Sequence, residues 1–294
     1  MLSNKSHRKS ILLRIVIVFI SIVVFGAAAY GSFVFIKADQ VVQQQKQAEK
    51  VKRDKELALK AIADAKEAKR KEPVIITLPG AKPITALVGD YLLTDSIWAI
   101  VSKTHPISID YVPASLKIPA VATRTDKSTD ERSVRSDIET PLANMFTAAN
   151  TDGNQLMIGS GYRSAALQTI YFNSLANSIG QEAANQSVAR PGESEHQTGL
   201  AVDITTVSRN CYLAECFAET SDGQWLANNS YKYGFILRYP KGKENITGYR
   251  YEPWHFRYVG IDLATALYES GLTLDQAWTY LETADTTLRT NGAI

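Results

Sequence analysis

Two stretches of the chain concentrate residues that bind metal ions and move protons. One is Ser194-Glu195-His196-Gln197-Thr198-Gly199-Leu200-Ala201-Val202-Asp203, and the other is Glu252-Pro253-Trp254-His255. They hold two imidazoles and two candidate carboxylates, Asp203 and Glu252, in a sequence with only four histidines. Neutral imidazole nitrogen and carboxylate oxygen suit zinc, and a site with three protein ligands keeps a fourth position for water. His196, Asp203 and His255 supply two nitrogens and one oxygen, so a bound Zn2+ would keep net positive charge and Lewis acidity. Glu252 is then the candidate base toward water and acid toward a departing amine, beside the metal and not on it.

These groups need elements that carry them to one point. Residues 198–203 read as a strand in which Leu200, Val202 and Ile204 share one face, leaving Ala201 and Asp203 on the other. His196 precedes that strand, and Gly199 lets the chain bend between them. Tyr249 to Tyr258 reads as a second strand. Glu252 and His255 would face opposite sides of a straight strand, and Pro253 is expected to kink the path and bring them together. Gln155 to Ser160 reads as a short strand entering Gly161-Tyr162-Arg163. Ser164 suits the N-cap of a helix running to about Ser178, with Gln168 one turn up and facing the same cleft as Arg163. Trp254 is expected to pack beneath the site.

Ser-x-His-x-x-Gly-x-Ala-x-Asp followed by Glu-x-Trp-His resembles the signature of the zinc D-alanyl-D-alanine carboxypeptidases of the VanY type, with their relatives the D-Ala-D-Ala dipeptidases and L,D-carboxypeptidases of peptidoglycan. Ser160-Gly161-Tyr162-Arg163-Ser164 with Gln168 extends the match, which covers roughly residues 85 to 285. The resemblance implies a Zn2+ cofactor and peptidoglycan stem peptides as substrate, with Arg163 a candidate to stabilise the oxyanion of amide hydrolysis, Arg163 or Ser194 to hold the terminal carboxylate, and Gln168 beside them at the substrate. It implies removal of the C-terminal D-alanine, with L,D-cleavage of tetrapeptide stems as the alternative. A non-catalytic cell-wall peptide-binding module is a further alternative, but it would require loss of a ligand or the base, and all four groups are present.

The N-terminus sets the expected compartment. Lys5, His7, Arg8, Lys9 and Arg14 precede a run, residues 15–36, without any charge; a bilayer core requires roughly 20 helical residues. The cationic side stays cytoplasmic, so residues 1–14 are expected inside, 15–36 across the membrane, and the rest outside. Ala27-Ala28-Ala29 offers a signal-peptide cleavage site as the competing reading. Residues 37–72 are rich in Gln, Lys, Glu and Ala and read as a helical stalk ended by Pro73. Residues 73–89, with Pro79 and Pro83, read as a linker, and 90–294 as the zinc carboxypeptidase domain. Tyr91 to Val101 is expected as a strand, Ser133 to Asn150 as a helix with Ile138, Leu142, Met145 and Phe146 on one stripe. Further elements are a helix over Gly223–Tyr233, a strand over Phe235–Tyr239 and helices over Asp262–Ser270 and Leu274–Asp285. The fold class expected is α+β: a small, mainly antiparallel sheet with flanking helices that carries the zinc site.

A net charge of +2 suggests no nucleic-acid partner, and 45% apolar with 21% charged residues excludes wholesale disorder. The only cysteines, Cys211 and Cys216, are spaced for a small disulfide loop outside the cytoplasm, with two free thiols as the alternative. Nothing in the sequence sets an oligomeric state.

Overall fold

The computed structural model describes residues 3–70, 74–86 and 94–290. The chain divides into two compact units, Met1–Ala65 and Lys66–Ile294. The residues expected as anchor and stalk run together as one helix, α1 (Ser3–Arg70). No proline interrupts residues 1–72, so nothing in the sequence ends the helix between its apolar and charged halves. It is the one helix among the described residues long and apolar enough to cross a membrane. Its large apolar side chains, such as Phe19, Phe25 and Phe35, are exposed.

In the second unit, β1 (Val74–Ile76) and β2 (Ile84–Ala86) form an antiparallel hairpin. This segment falls within residues 73–89, where the sequence predicts a linker. Instead Ile76, Leu78 and Ile84 are buried, because apolar side chains alternate along 74–78 and Pro79-Gly80 supplies a turn. The end of the expected linker and Tyr91 lie outside the described residues. Thr94 to Val101 forms turns and coil and not the expected strand, although Trp98, Ile100 and Val101 are buried.

Next come β3 (Leu116–Lys117), α2 (Thr129–Arg132) and β4 (Val134–Arg135), with β3 and β4 paired antiparallel. Helix α3 (Glu139–Thr151) is shorter than expected, but Ile138, Leu142, Met145 and Phe146 are all buried as one stripe. Each fully buried aliphatic side chain contributes about 2 kcal/mol. Then follow β5 (Leu156–Ser160), α4 (Ala165–Ile179), α5 (Gln181–Ser187), β6 (Ala201–Thr206), α6 (Ser221–Asn229), β7 (Phe235–Leu237), α7 (Glu244–Thr247), β8 (His255–Tyr258), α8 (Ile261–Ser270) and α9 (Leu274–Thr290).

The central sheet has the order β5-β6-β8-β7, with every neighbouring pair antiparallel. Strand β7 sends Phe235 to a cluster with α3 and α6, and Ile236 to a cluster with β1, β2, α8 and α9. That alternation puts helices on both sides of the sheet. The fold is α+β, with a small antiparallel sheet and flanking helices.

Candidate metal centre

Strands β6 and β8 pair in a register that sets Asp203 directly opposite His255. Val202 and Ile204 enter the core, so Asp203 emerges on the other face, as the alternation requires. His196 lies on a short 3-10 turn, Glu195–Thr198, just before β6. Gly199 ends that turn with φ 68°, a left-handed conformation natural to glycine, and a β-carbon there would press on Arg135. The reversal brings His196 back over the strand it precedes.

The three side chains converge and are all buried. Asp203 Oδ1 lies 3.4 Å from His196 Nε2 and 3.3 Å from His255 Nδ1. Ligand atoms 2.0–2.1 Å from a tetrahedral zinc are about 3.3–3.4 Å apart, so the spacing fits that ion. Asp203 Oδ1 is buried without a hydrogen-bond partner, as an oxygen reserved for a cation would be. His196 Nδ1 is 2.7 Å from the Gly161 carbonyl, which can only accept, so Nδ1 carries the proton and Nε2 presents its lone pair.

The charges agree with this geometry. Burial lowers the His196 pKa, against the opposing pull of Asp203. Burial alone would raise Asp203, but His196 and His255 hold it well below the usual carboxylate range. Burial would also lower His255, yet Asp203 and Glu195 outweigh it and push the ring up to about 9.

Glu252 is not one of the three grouped ligands. Its Oε2 lies 3.6 Å from His255 Nδ1. The expected long strand over Tyr249–Tyr258 is only β8; the His255 amide instead donates to the Glu252 carbonyl, closing a turn that sets both side chains on one side. Burial, reinforced by Asp203, raises Glu252 to about 7 against the opposing pull of His255.

Arg163 donates to Gln168 Oε1 at 3.0 Å and to Ser160 Oγ at 3.1 Å, and its Nη2 is 3.7 Å from Asp203 Oδ2. Ser164 caps α4 as expected, which fixes Gln168 one turn on. A cleft of about 170 Å³ is lined by His196, Asp203, His255, Glu252, Arg163 and Ser194. Trp254 lies in the core beneath it. Cys211 and Cys216 form a disulfide. His105 is away from this centre, its ring 4.1 Å from that of Trp278.

Sequence reasoning missed Glu195. It is wholly buried, accepting from Arg238 Nε at 2.8 Å and Arg257 Nη1 at 2.9 Å. These guanidiniums hold it well below the ordinary carboxylate range despite the opposing effect of burial. Its other oxygen is 3.7 Å from His255 Nε2, the side of the ring that faces away from Asp203. A signal existed: Arg238 and Arg257 each sit inside an apolar strand run, Phe235-Ile236-Leu237-Arg238-Tyr239 and Phe256-Arg257-Tyr258, and buried arginines require a carboxylate.

Residues 131–261 match the VanY family of D-alanyl-D-alanine carboxypeptidases. The chain is 44% identical over 182 residues to the putative carboxypeptidase YodJ of Bacillus subtilis, covering 62% of this chain and 67% of that protein. It belongs to the VanY D-alanyl-D-alanine carboxypeptidase family. The solved LdcB L,D-carboxypeptidase is 39% identical with a TM-score of 0.60, covering 74% of this chain and 96% of that one. A variant of the vancomycin-resistance D,D-pentapeptidase VanY, from a VanB-type cassette and solved with Zn(II), is 34% identical with a TM-score of 0.51, covering 63% and 98%. VanYB has also been solved with D-alanine-D-alanine, at 33% identity and a TM-score of 0.50, covering 63% and 97%. The chain is a zinc carboxypeptidase of that family with a His-Asp-His metal site.

Proposed function

We propose that the chain removes the C-terminal D-alanine from peptidoglycan stem peptides outside the cytoplasm, tethered to the membrane by α1. The observation that carries this reading is the juxtaposition of the buried His196-Asp203-His255 triad with a carboxyl group, Glu252, 3.6 Å from one of its members. Zinc, when bound, supplies Lewis acidity toward water and the scissile carbonyl. Glu252 takes the proton of the attacking water and delivers it to the leaving amine, a role its place beside the triad allows. Arg163, braced by Gln168 and Ser160, stabilises the oxyanion. Ser194, in the wall of the same cleft, is the proposed donor to the terminal carboxylate.

A second reading, L,D-cleavage of tetrapeptide stems, is favoured by the likeness to LdcB. One experiment separates the two. Full-length protein in detergent is loaded with zinc and given a pentapeptide stem ending in D-Ala-D-Ala or a tetrapeptide stem ending in one D-Ala. D-alanine release from the pentapeptide supports D,D-activity, and release from the tetrapeptide alone supports L,D-activity. Release from neither, with zinc bound, would leave only the peptide-binding module.

A further inference from the structure

Three residues outside the metal centre carry unusual backbone. Arg209, Cys211 and Leu213 have φ of 57°, 55° and 48°, and they are the only non-glycine residues with positive φ among the described residues. A bulky side chain rarely adopts this left-handed region, and such conformations persist only where the surroundings over-determine them. The surroundings here are specific. The Cys211–Cys216 disulfide closes the loop. Phe217, immediately after it, is fully buried in the core. The Tyr212 ring packs so closely on β5 that a β-carbon at Gly159 would come within 3.1 Å of it, and the Arg124 guanidinium covers that ring 4.7 Å from its centroid.

Between these fixed points, Leu213 is half-buried against the core cluster and forms part of the wall of the catalytic cleft. Val188, Ala189 and Trp254 also line the cleft, and Leu213 is the aliphatic side chain that the disulfide loop adds to this wall, a complement to a small apolar group. A terminal alanine brings just such a group, its methyl, to the amine side of the bond that releases it.

We propose that Leu213, held in its left-handed conformation by the Cys211–Cys216 loop, contacts substrate and selects the alanine methyl beside the scissile bond. The inference rests on the carboxypeptidase reading: turnover by the parent enzyme tests that reading, and the ratio of variant to parent tests Leu213. The disulfide is a positioning device and takes no part in the reaction.

The experiment measures kcat, KM and zinc content of the full-length chain on the peptide the parent cleaves. Leu213→Gly removes the side chain at a φ that glycine adopts freely, so the loop path is kept. It is expected to raise KM about tenfold, the scale of a lost small-group contact, with kcat within about twofold and zinc retained. Leu213→Met should restore KM to near the parent value. The Cys211→Ser/Cys216→Ser pair should raise KM in the same way. A parental KM for Leu213→Gly would overturn the substrate contact, and so would a loss of zinc and kcat in step. A parental KM for the cysteine pair would overturn the positioning role of the disulfide.

Discussion

The carbonyl of Gly161 lies 2.7 Å from His196 Nδ1, so a glycine on the β5–α4 connection determines which nitrogen of a ligand on another segment faces the metal. The same glycine donates its amide to the Glu131 carbonyl at 2.6 Å, and a β-carbon on it would collide with the Ser133 carbonyl oxygen. Gly161→Ala must therefore move the backbone that orients His196. Partners that orient a ligand are commonly worth 10–100-fold in affinity. Zinc binding is expected to weaken by at least about tenfold, read by chelator competition.

Removing the ligands themselves should have a larger effect. His196→Ala, Asp203→Ala and His255→Ala are each expected to abolish stoichiometric zinc and activity together. Metal analysis of the three purified variants is the check, and full zinc in all of them would contradict the site.

Glu252→Gln should separate chemistry from binding. Glutamine keeps the shape but cannot accept a proton. The variant is expected to hold zinc nearly as well as the parent and to turn over at least ~100-fold more slowly. The pH profile follows from the same residue. Its pKa is raised to about 7, so it is a carboxylic acid below that value and a carboxylate above it. A base must be the carboxylate, so kcat/KM of the parent should fall as the pH drops. Bound zinc favours the anion and moves this limb below 7. The limb should be missing from the residual activity of Glu252→Gln.

Acid should also weaken the fold at α2. Glu131 closes a capping box with Ser128 and accepts from Lys127 Nζ at 2.7 Å and from Tyr171. Burial opposes ionisation, but these partners together depress Glu131 from 4.5 to about 2. A depressed carboxylate stabilises the fold fully above its unfolded value, and that contribution is lost as the pH falls through the folded one. Zinc-free parent should lose stability between pH 4.5 and about 2. Glu131→Gln should be less stable by about 2 kcal/mol at pH 7 and lose less across that window, as followed by thermal unfolding.

The topology proposal has its own test. Full-length protein should resist extraction by carbonate, with residues 94–290 open to external protease. A mature N-terminus near Tyr30 would instead show cleavage at Ala27-Ala28-Ala29 and a released enzyme.

The metal triad was legible because its residues are rare types in a fixed order, and because Leu200, Val202 and Ile204 mark which face of β6 is left for Asp203. The stripe of α3 was legible for the same reason: periodicity survives without knowledge of partners. What was not legible depended on distant partners. Glu195 stands between Ser194 and His196 like any loop acid, and only Arg238 and Arg257, supplied by other segments, identify it as buried. The 74–86 hairpin was obscured because Pro79 and Pro83 resemble a spacer, whereas the burial of Ile76 and Leu78 is decided by the cluster that includes α8 and α9. The backbone of Leu213 has no sequence signature, since its left-handed turn is imposed by tertiary contacts.

The buried ion cluster has a consequence for how this sequence can drift. Glu195 is shared by Arg238 and Arg257, and Arg238 also pairs with Asp275 of α9, its Nη2 3.0 Å from Oδ1. Two acids balance two bases, so no single replacement that alters charge leaves the set neutral. Breaking one buried pair strands the other charge, at about 3–5 kcal/mol. Mutational paths through this region therefore pass through a deep fitness valley unless two positions change together. Homologues that differ at Asp275 or Arg257 should carry a matched change at the other end of the network, so that a surface-facing turn of the last helix and the loop beside His196 vary as one unit.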